Sequence, residues 1–304
     1  MSFCFGVFYL STPRMKRAQR ILKKAKWSVW AELLRLPNLF TVPGDILLGW
    51  CLGGMRGGIP FLPIVASLCL YAAGLLWNDC FDASIDAKER PQRPIPSGRV
   101  SRCSVFFVAC LLAVLGIFAS WTGYPIAIVL TGTILFYNLL AKHLPWIGVI
   151  TMGVCRGLNV YLGVAATWPL HQAPLPTHFI WAFLFFTSYI VLVSVIAKNE
   201  AKPGVKVGSI RMLAPLMTLS LLPVFAWYDR GIWWLPLLVA GAMVLFLLRR
   251  HKVPALVAGL IRFLIPLQCV WCLSMYDTYL IQFLSVFLIL ELGALIAARR
   301  FSGS

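Results

Sequence analysis

The 304-residue chain is 60% hydrophobic and only 12% charged, and its mean hydropathy is +0.84, whereas soluble domains are about a quarter charged. No Asp, Glu, Lys or Arg occurs from Ser104 to Ala141 or from Gly157 to Ala197, so a water-exposed fold is excluded and each run holds two bilayer spans of about 20 residues. The net charge of +17 would suit a nucleic-acid binder, but that class is excluded by where the 27 basic residues lie.

At the N-terminus the apolar FCFGVFYL precedes the positive stretch, the reverse of a secretory signal. In RMKRAQRILKKAKWSVWAELL, Ile21, Leu22, Ala25 and Trp30 stand among lysines and arginines, which predicts a basic amphipathic segment over residues 1–32 lying on the cytoplasmic face. A start at Met15 is the alternative reading. Residues 33–304 read as a single transmembrane domain of nine or ten helices, with no soluble domain. Spans are expected near 33–56, 60–79, 102–121, 124–141, 145–168, 177–198, 210–227, 232–249, 254–275 and 278–298, punctuated by GGIP, WTGYP and WPLHQAPLPTH. With these spans, 23 basic residues fall on one side, Arg56 and Arg230 on the other, and Arg156 and Arg262 within spans. The positive-inside rule then puts both termini in the cytoplasm, and anionic lipid accounts for the surplus charge. The nine cysteines are mostly inside spans, including the C-x-x-C of Cys269 and Cys272, and read as small packing residues.

Two polar residues interrupt the greasy spans. Asp45, beside Pro43 and Gly44, and Arg156, sharing a face with Asn159 in CRGLN, would each cost about 2.5 to 3.5 kcal/mol alone at the bilayer centre. They are expected to have partners, either each other or a substrate. Arg262, in the first half of its span, is expected to snorkel. Of His143, His171 and His178, each reads as interfacial rather than ligating, and Trp168, Trp181, Trp233 and Trp234 as aromatic-belt anchors.

The second span ends in NDCFDASIDAKERPQRPIPSGR, where four of the chain's ten acids fall within eleven residues. Asp79, Asp82 and Asp86 are spaced i, i+3, i+7 and would share one face of a continuing helix. Three carboxylates so close repel one another unless a cation joins them, and oxygen-only donors with Asn78 alongside suit Mg²⁺. Magnesium held by a few carboxylates completes its shell with water and substrate phosphates, so the cluster predicts a phosphorylated ligand. Arg90 and Arg93 supply forked donors for phosphate, on a loop stiffened by Pro91, Pro94 and Pro96.

This N-D-x-x-D-x-x-x-D followed by E-R-P-x-R-P-I-P-S-G-R resembles the first aspartate-rich motif of the UbiA superfamily of intramembrane prenyltransferases. LRLPNLFT, with Asn38, resembles the family's first helix, and FYNLLAKH, with Tyr137 and Lys142, the segment that approaches the diphosphate. The resemblance implies an all-α bundle around a central cavity that opens sideways to lipid. It implies Asp79, Asp82 and Asp86 as catalytic metal ligands for Mg²⁺, supported by Asn78, with Arg93, Lys142 and Tyr137 on the diphosphate. The expected partners are an isoprenyl diphosphate, a small-molecule acceptor and membrane lipid.

One region departs from the family. Where a second aspartate-rich motif is usual, the chain reads SVIAKNEAKPGVKVG, with Glu200 the sole acid among Lys198, Lys202 and Lys206. That set suits gripping phosphate better than a second Mg²⁺, so Glu200 is carried as a catalytic residue and Lys198, with Arg156 and Asn159, as substrate contacts. LPNLFTVPGD, CRGLN and the depleted second motif are similar to the EboC-like branch, which implies a specialised-metabolite acceptor and a bacterial cytoplasmic membrane. The competing expectation is a non-catalytic relative that binds or carries a lipidic or aromatic metabolite.

Overall fold

A computed structural model describes residues 28–168, 177–200, 213–219, 234–249 and 253–300. The amphipathic segment before residue 28, His171, Trp233, Lys202 and Lys206 lie outside the described residues, as do most of the seventh predicted span and the side chain of Glu200.

The described residues are helical, with no strand among them. In chain order the helices are α1 (Leu36–Leu39), α2 (Val42–Leu52), α3 (Phe61–Phe81), α4 (Ala83–Glu89), α5 (Arg102–Ala119), α6 (Tyr124–Leu139) and α7 (Pro145–Ala165). They continue with α8 (Thr177–Glu200), α9 (Leu213–Leu219), α10 (Leu235–Arg249), α11 (Val253–Arg262), α12 (Leu264–Met275) and α13 (Leu280–Arg300). Among the described residues, seven segments are long and apolar enough to cross a bilayer, and Leu36–Leu52 and Leu235–Leu247 are shorter apolar helices. The chain is thus an integral multi-pass membrane protein, as the charge-free runs require.

Two predicted spans are broken. The first divides at Thr41, with Pro37 and Pro43 at the starts of α1 and α2, where proline's missing N–H is not needed. The ninth divides at Phe263, between α11 and α12.

Helix faces sort by neighbour. Phe107, Phe118, Trp121 and Ile281 are exposed, as lipid-facing residues would be, while α12 is buried from Leu264 to Ser274 except at Pro266. The main core joins α2, α7, α8 and α12 around Trp271, Phe186 and Tyr189. A satellite core, built on Leu33, Leu76, Trp77 and Val105, takes in Ile95 and Val100 and so pins the loop after α4. α2 and α7 cross backbone to backbone. A Cβ on Gly49 would stand 2.2 Å from the Val160 carbonyl oxygen, and one on Gly163 2.5 Å from that of Ile46, so both positions require glycine. Without a hydrophobic drive between helices in lipid, such close approach is what gives them packing energy. It also brings Asp45 and Arg156 within reach of each other.

Candidate functional site

Asp79 is the last but two of α3's residues, and Asp82 is the joint between α3 and α4. The chain therefore kinks at the acidic run instead of continuing as one straight helix. The Asp82 N–H donates to the Asn78 carbonyl at 2.9 Å and the Asp86 N–H to the Asp82 carbonyl at 2.8 Å, so the three carboxylates stay on successive turns. Asp79 and Asp86 are buried, at 8% and 5% exposure, so each needs a positive neighbour.

Each has one. Arg93 Nη1 lies 2.7 Å from Asp86 Oδ2 and 3.6 Å from Asp79 Oδ1, bridging the two. Arg35 Nη2 reaches Asp79 at 3.4 Å. Asp82 points elsewhere, to Lys142 Nζ. Lys142 is presented by the short turn Ala141–His143, which follows α6. Among the described residues no three acidic, His or Cys side chains converge on a single point. What the fold assembles is an alternation of carboxylates and cations.

The loop after α4 is held in place by its own hydrogen bonds. Ser97 Oγ donates to the Arg93 carbonyl at 2.7 Å, and Arg99 forks onto Glu32 at 2.8 and 3.1 Å. That second contact ties the loop to the segment leading into Arg35. Arg35 itself has φ 45° and ψ 56°, a left-handed conformation that costs a non-glycine residue about 1 kcal/mol or more. Held there, it sits between Leu34 and α1 with its guanidinium turned to Asp79.

Asp82 and Asp86, with Arg35, Arg93 and Lys142, line a cavity of about 1000 Å³ whose wall also includes Asn38, Asn78, Glu89, Arg90, Tyr137, His143 and Arg262, while Asp79 lies behind it and is not among its lining. A second chamber of about 240 Å³ adjoins it, sharing Arg35, Asn38, Asn78, Tyr137 and Ile261. Its other walls are mainly apolar, from Leu75, Leu130, Ile134, Met152, Ile190 and Val193. A charged mouth therefore gives onto a greasy interior, the shape required by a ligand with an anionic head and a hydrocarbon tail.

Arg156 and Asn159 line that inner chamber, and both are bound to Asp45, as the span chemistry predicts. Arg156 Nε is 2.8 Å from Asp45 Oδ2, but the oxygen lies off the N–H direction, so the attraction is between charges. Asn159 Nδ2 and Gln268 Nε2 donate to Asp45 at 2.7 and 2.6 Å, and Ser67 Oγ donates to Asn159 Oδ1 at 2.6 Å. The Arg156 Nη groups donate to Thr41 Oγ1 at 3.2 Å and to the Thr41 carbonyl at 2.7 Å. Gly44 makes room, since a Cβ there would stand 2.0 Å from Gln268 Oε1.

The sequence-predicted residues Asn38, Asn78, Asp82, Asp86, Arg90, Arg93, Tyr137 and Lys142 are gathered on the one cavity. Lys198 is not among its lining. It is exposed and donates to the Pro145 carbonyl at 3.0 Å. Glu200 ends α8. The sequence reading passed over Arg35, Glu89, His143 and Arg262. Arg35 was hidden in the count of N-terminal positive charges, although its place three residues before Asn38 was a signal. Arg262 was assigned to snorkelling, and the structure places it on the cavity lining.

The donor set fits magnesium. Asp79, Asp82, Asp86 and Asn78 offer only hard oxygen donors in this neighbourhood, and a cationic nitrogen already stands between Asp79 and Asp86.

Comparison with known proteins agrees with this geometry. The sequence pattern of the UbiA prenyltransferase family matches residues 40–271. Digeranylgeranylglyceryl phosphate synthase of Methanopyrus kandleri is 32% identical over 161 residues, covering 51% of this chain and 57% of that protein. The enzyme of the same name from Sulfurisphaera tokodaii is 24% identical over 192 residues, covering 60% of this chain and 68% of its own. The matches thus span between about half and two thirds of these curated relatives' length, and the relatives are archaeal, giving no support to a bacterial membrane. A solved UbiA homolog from Archaeoglobus fulgidus bound to GPP and Mg²⁺ aligns with TM-score 0.57 at 13% identity, covering 82% of this chain and 98% of that one. The same homolog bound to DMAPP and Mg²⁺ aligns with TM-score 0.58, covering 90% and 99%. The fold is therefore that of the UbiA homologs.

Proposed function

The chain belongs to the UbiA prenyltransferase family, and on that premise we propose that it moves an isoprenyl group from an isoprenyl diphosphate to a hydroxyl of a small acceptor inside the membrane. The observation that carries this reading is the charged mouth opening onto an apolar chamber, with each of three motif carboxylates matched to its own cation. The polyprenyl tail is soluble only in hydrocarbon and the diphosphate only near charge, so the allylic carbon is placed where mouth and chamber meet, beside Asn78 and Tyr137.

Asp79, Asp82 and Asp86 would hold Mg²⁺, which when bound neutralises diphosphate charge as a Lewis acid. Arg35, Arg93 and Lys142, ion-paired to those carboxylates, are poised to exchange carboxylate oxygens for diphosphate oxygens, with Arg90 at the loop's edge. The bond from the allylic carbon to the diphosphate breaks and its electron pair leaves with the diphosphate. The acceptor oxygen bonds to that carbon, and its proton passes to the released diphosphate. The apolar walls exclude water, which would otherwise capture the cationic carbon.

The relatives' name supports one acceptor class. A synthase of digeranylgeranylglyceryl phosphate that adds one geranylgeranyl group starts from a glyceryl phosphate carrying the other, and we assign a phosphate-bearing lipid acceptor of this kind here. A specialised metabolite is the less supported alternative. The charge bias of the loops supports a reading in which the motif end and the N-terminus face the cytoplasm.

The test is diphosphate release by the purified protein in lipid with Mg²⁺ and a panel of isoprenyl diphosphates, wild type against Asp82→Asn. Release by wild type and its loss in the variant are expected. Equal, background release from both would point instead to a carrier that binds the lipid without turnover.

A further inference from the structure

Arg262 is the cation of the cavity wall that the motif does not explain. It ends α11, seven residues inside the apolar segment Ala255–Met275, roughly 10 Å along the helix axis from that segment's start at 1.5 Å per residue. A guanidinium at such depth is expensive in lipid and is retained where it faces a polar cavity. Arg262 does so, sharing the 1000 Å³ cavity with Asp82, Asp86, Arg93 and Lys142. Arg93 and Lys142 are engaged with carboxylates, whereas Arg262, like Arg90 on the motif loop, has no ion pair within 4.0 Å among the described residues. Glu291 on α13 feels its charge without closing onto it, and Glu291 Oε2 is itself buried with no hydrogen-bond partner. The other lining residues contributed by α11 and α13 are Ala255, Val257, Ala258, Ile261 and Ala298, small or aliphatic side chains.

The motif carboxylates and their paired cations come from α3, α4, the loop after α4, the Ala141–His143 turn and the approach to α1, which makes that side of the cavity the donor side. Arg262 comes from elements outside all of these, α11 with α13 beside it. A transferase with a phosphate-bearing acceptor must hold two anions at once, and holding both on one cation set would bring their like charges together. We infer that Arg262 is the acceptor-anion contact, an anion subsite on α11 that binds the acceptor's phosphate and so directs its hydroxyl toward the allylic carbon.

This rests on the transferase reading and is tested separately from it. The full-length protein in lipid is given geranylgeranyl diphosphate, Mg²⁺ and either geranylgeranylglyceryl phosphate or the phosphate-free geranylgeranylglycerol. Arg262→Gln is expected to raise the KM for the phosphate acceptor about 10- to 100-fold, the scale of losing a charge-assisted hydrogen bond, with the donor KM unchanged. The wild-type preference for the phosphate over the alcohol is expected to vanish in Arg262→Gln and to return in part in Arg262→Lys. Equilibrium binding of labelled geranylgeranylglyceryl phosphate without donor gives a readout free of turnover, and is expected to weaken by the same factor. Equal binding to wild type and Arg262→Gln, an equal loss for both acceptors, or a rise in donor KM overturns the inference. Absence of diphosphate release from wild type overturns the transferase reading instead.

Discussion

Asp45 in the middle of the bundle and Asp82 at its charged mouth both face a single cation, yet they are built differently. Around Asp45, Asn159 and Gln268 add two hydrogen bonds, Thr41 occupies the Nη groups of Arg156, and Asp45, Thr41 and Gln268 have no exposure to solvent. Around Asp82, Lys142 is the one ion-pair partner among the described residues, the side chain keeps 22% exposure, and a large cavity begins beside it. The first arrangement spends most of its polar groups on one another, with Arg156 Nε left without a hydrogen-bond acceptor among the described residues, and ties α2, α7 and α12 together. The second has ion pairs that a phosphate can replace. The difference teaches that in this protein charge in the apolar spans is structural where it is saturated and chemical where it is left short of partners.

The comparison breaks first if Arg156→Leu is tolerated. Removing one partner strands Asp45 in a dry site, so a loss of about 3 to 5 kcal/mol in unfolding free energy is expected, read by denaturant titration in micelles. The double variant Asp45→Leu with Arg156→Leu is expected to recover much of that loss. At the mouth the effects invert. Asp82→Asn is expected to keep the wild-type unfolding midpoint and to lower diphosphate release by about 10² to 10³, or roughly 3 to 4 kcal/mol of barrier. Lys142→Ala sharpens the contrast at smaller size, with donor KM raised about 10-fold and a fold unchanged by circular dichroism. Smallest is Lys198→Ala. Its side chain is exposed and bound to a backbone carbonyl, so kcat/KM within about twofold of wild type is expected, and a loss beyond tenfold would bring α8's end into the site.

How far the residues announced these two regions depends on the range of the interaction. The Asp79, Asp82 and Asp86 run was legible because its members are neighbours in the chain and its composition is improbable in an apolar protein. That Asp45 and Arg156 need partners was legible from the cost of burying charge. That each is the other's partner was not, since 111 positions separate them and only the Gly49 and Gly163 crossing brings them together. Gln268 and Ser67 carried no sequence signal at all, being single polar residues in long apolar spans. Arg262 was read by its place in the first half of its span, a measure blind to which way the helix faces.

By itself the sequence determined that the chain spans a membrane, which loops share a side by charge, and that one helix end carries a run of carboxylates followed by arginines, because hydropathy, charge bias and i, i+3, i+7 spacing are local properties. The tertiary structure alone decided which cation meets which carboxylate, that Arg35 and Arg262 join the cavity, and that the acidic run is kinked at Asp82. Those outcomes depend on helix rotation and crossing, which are set by packing among residues far apart in the chain.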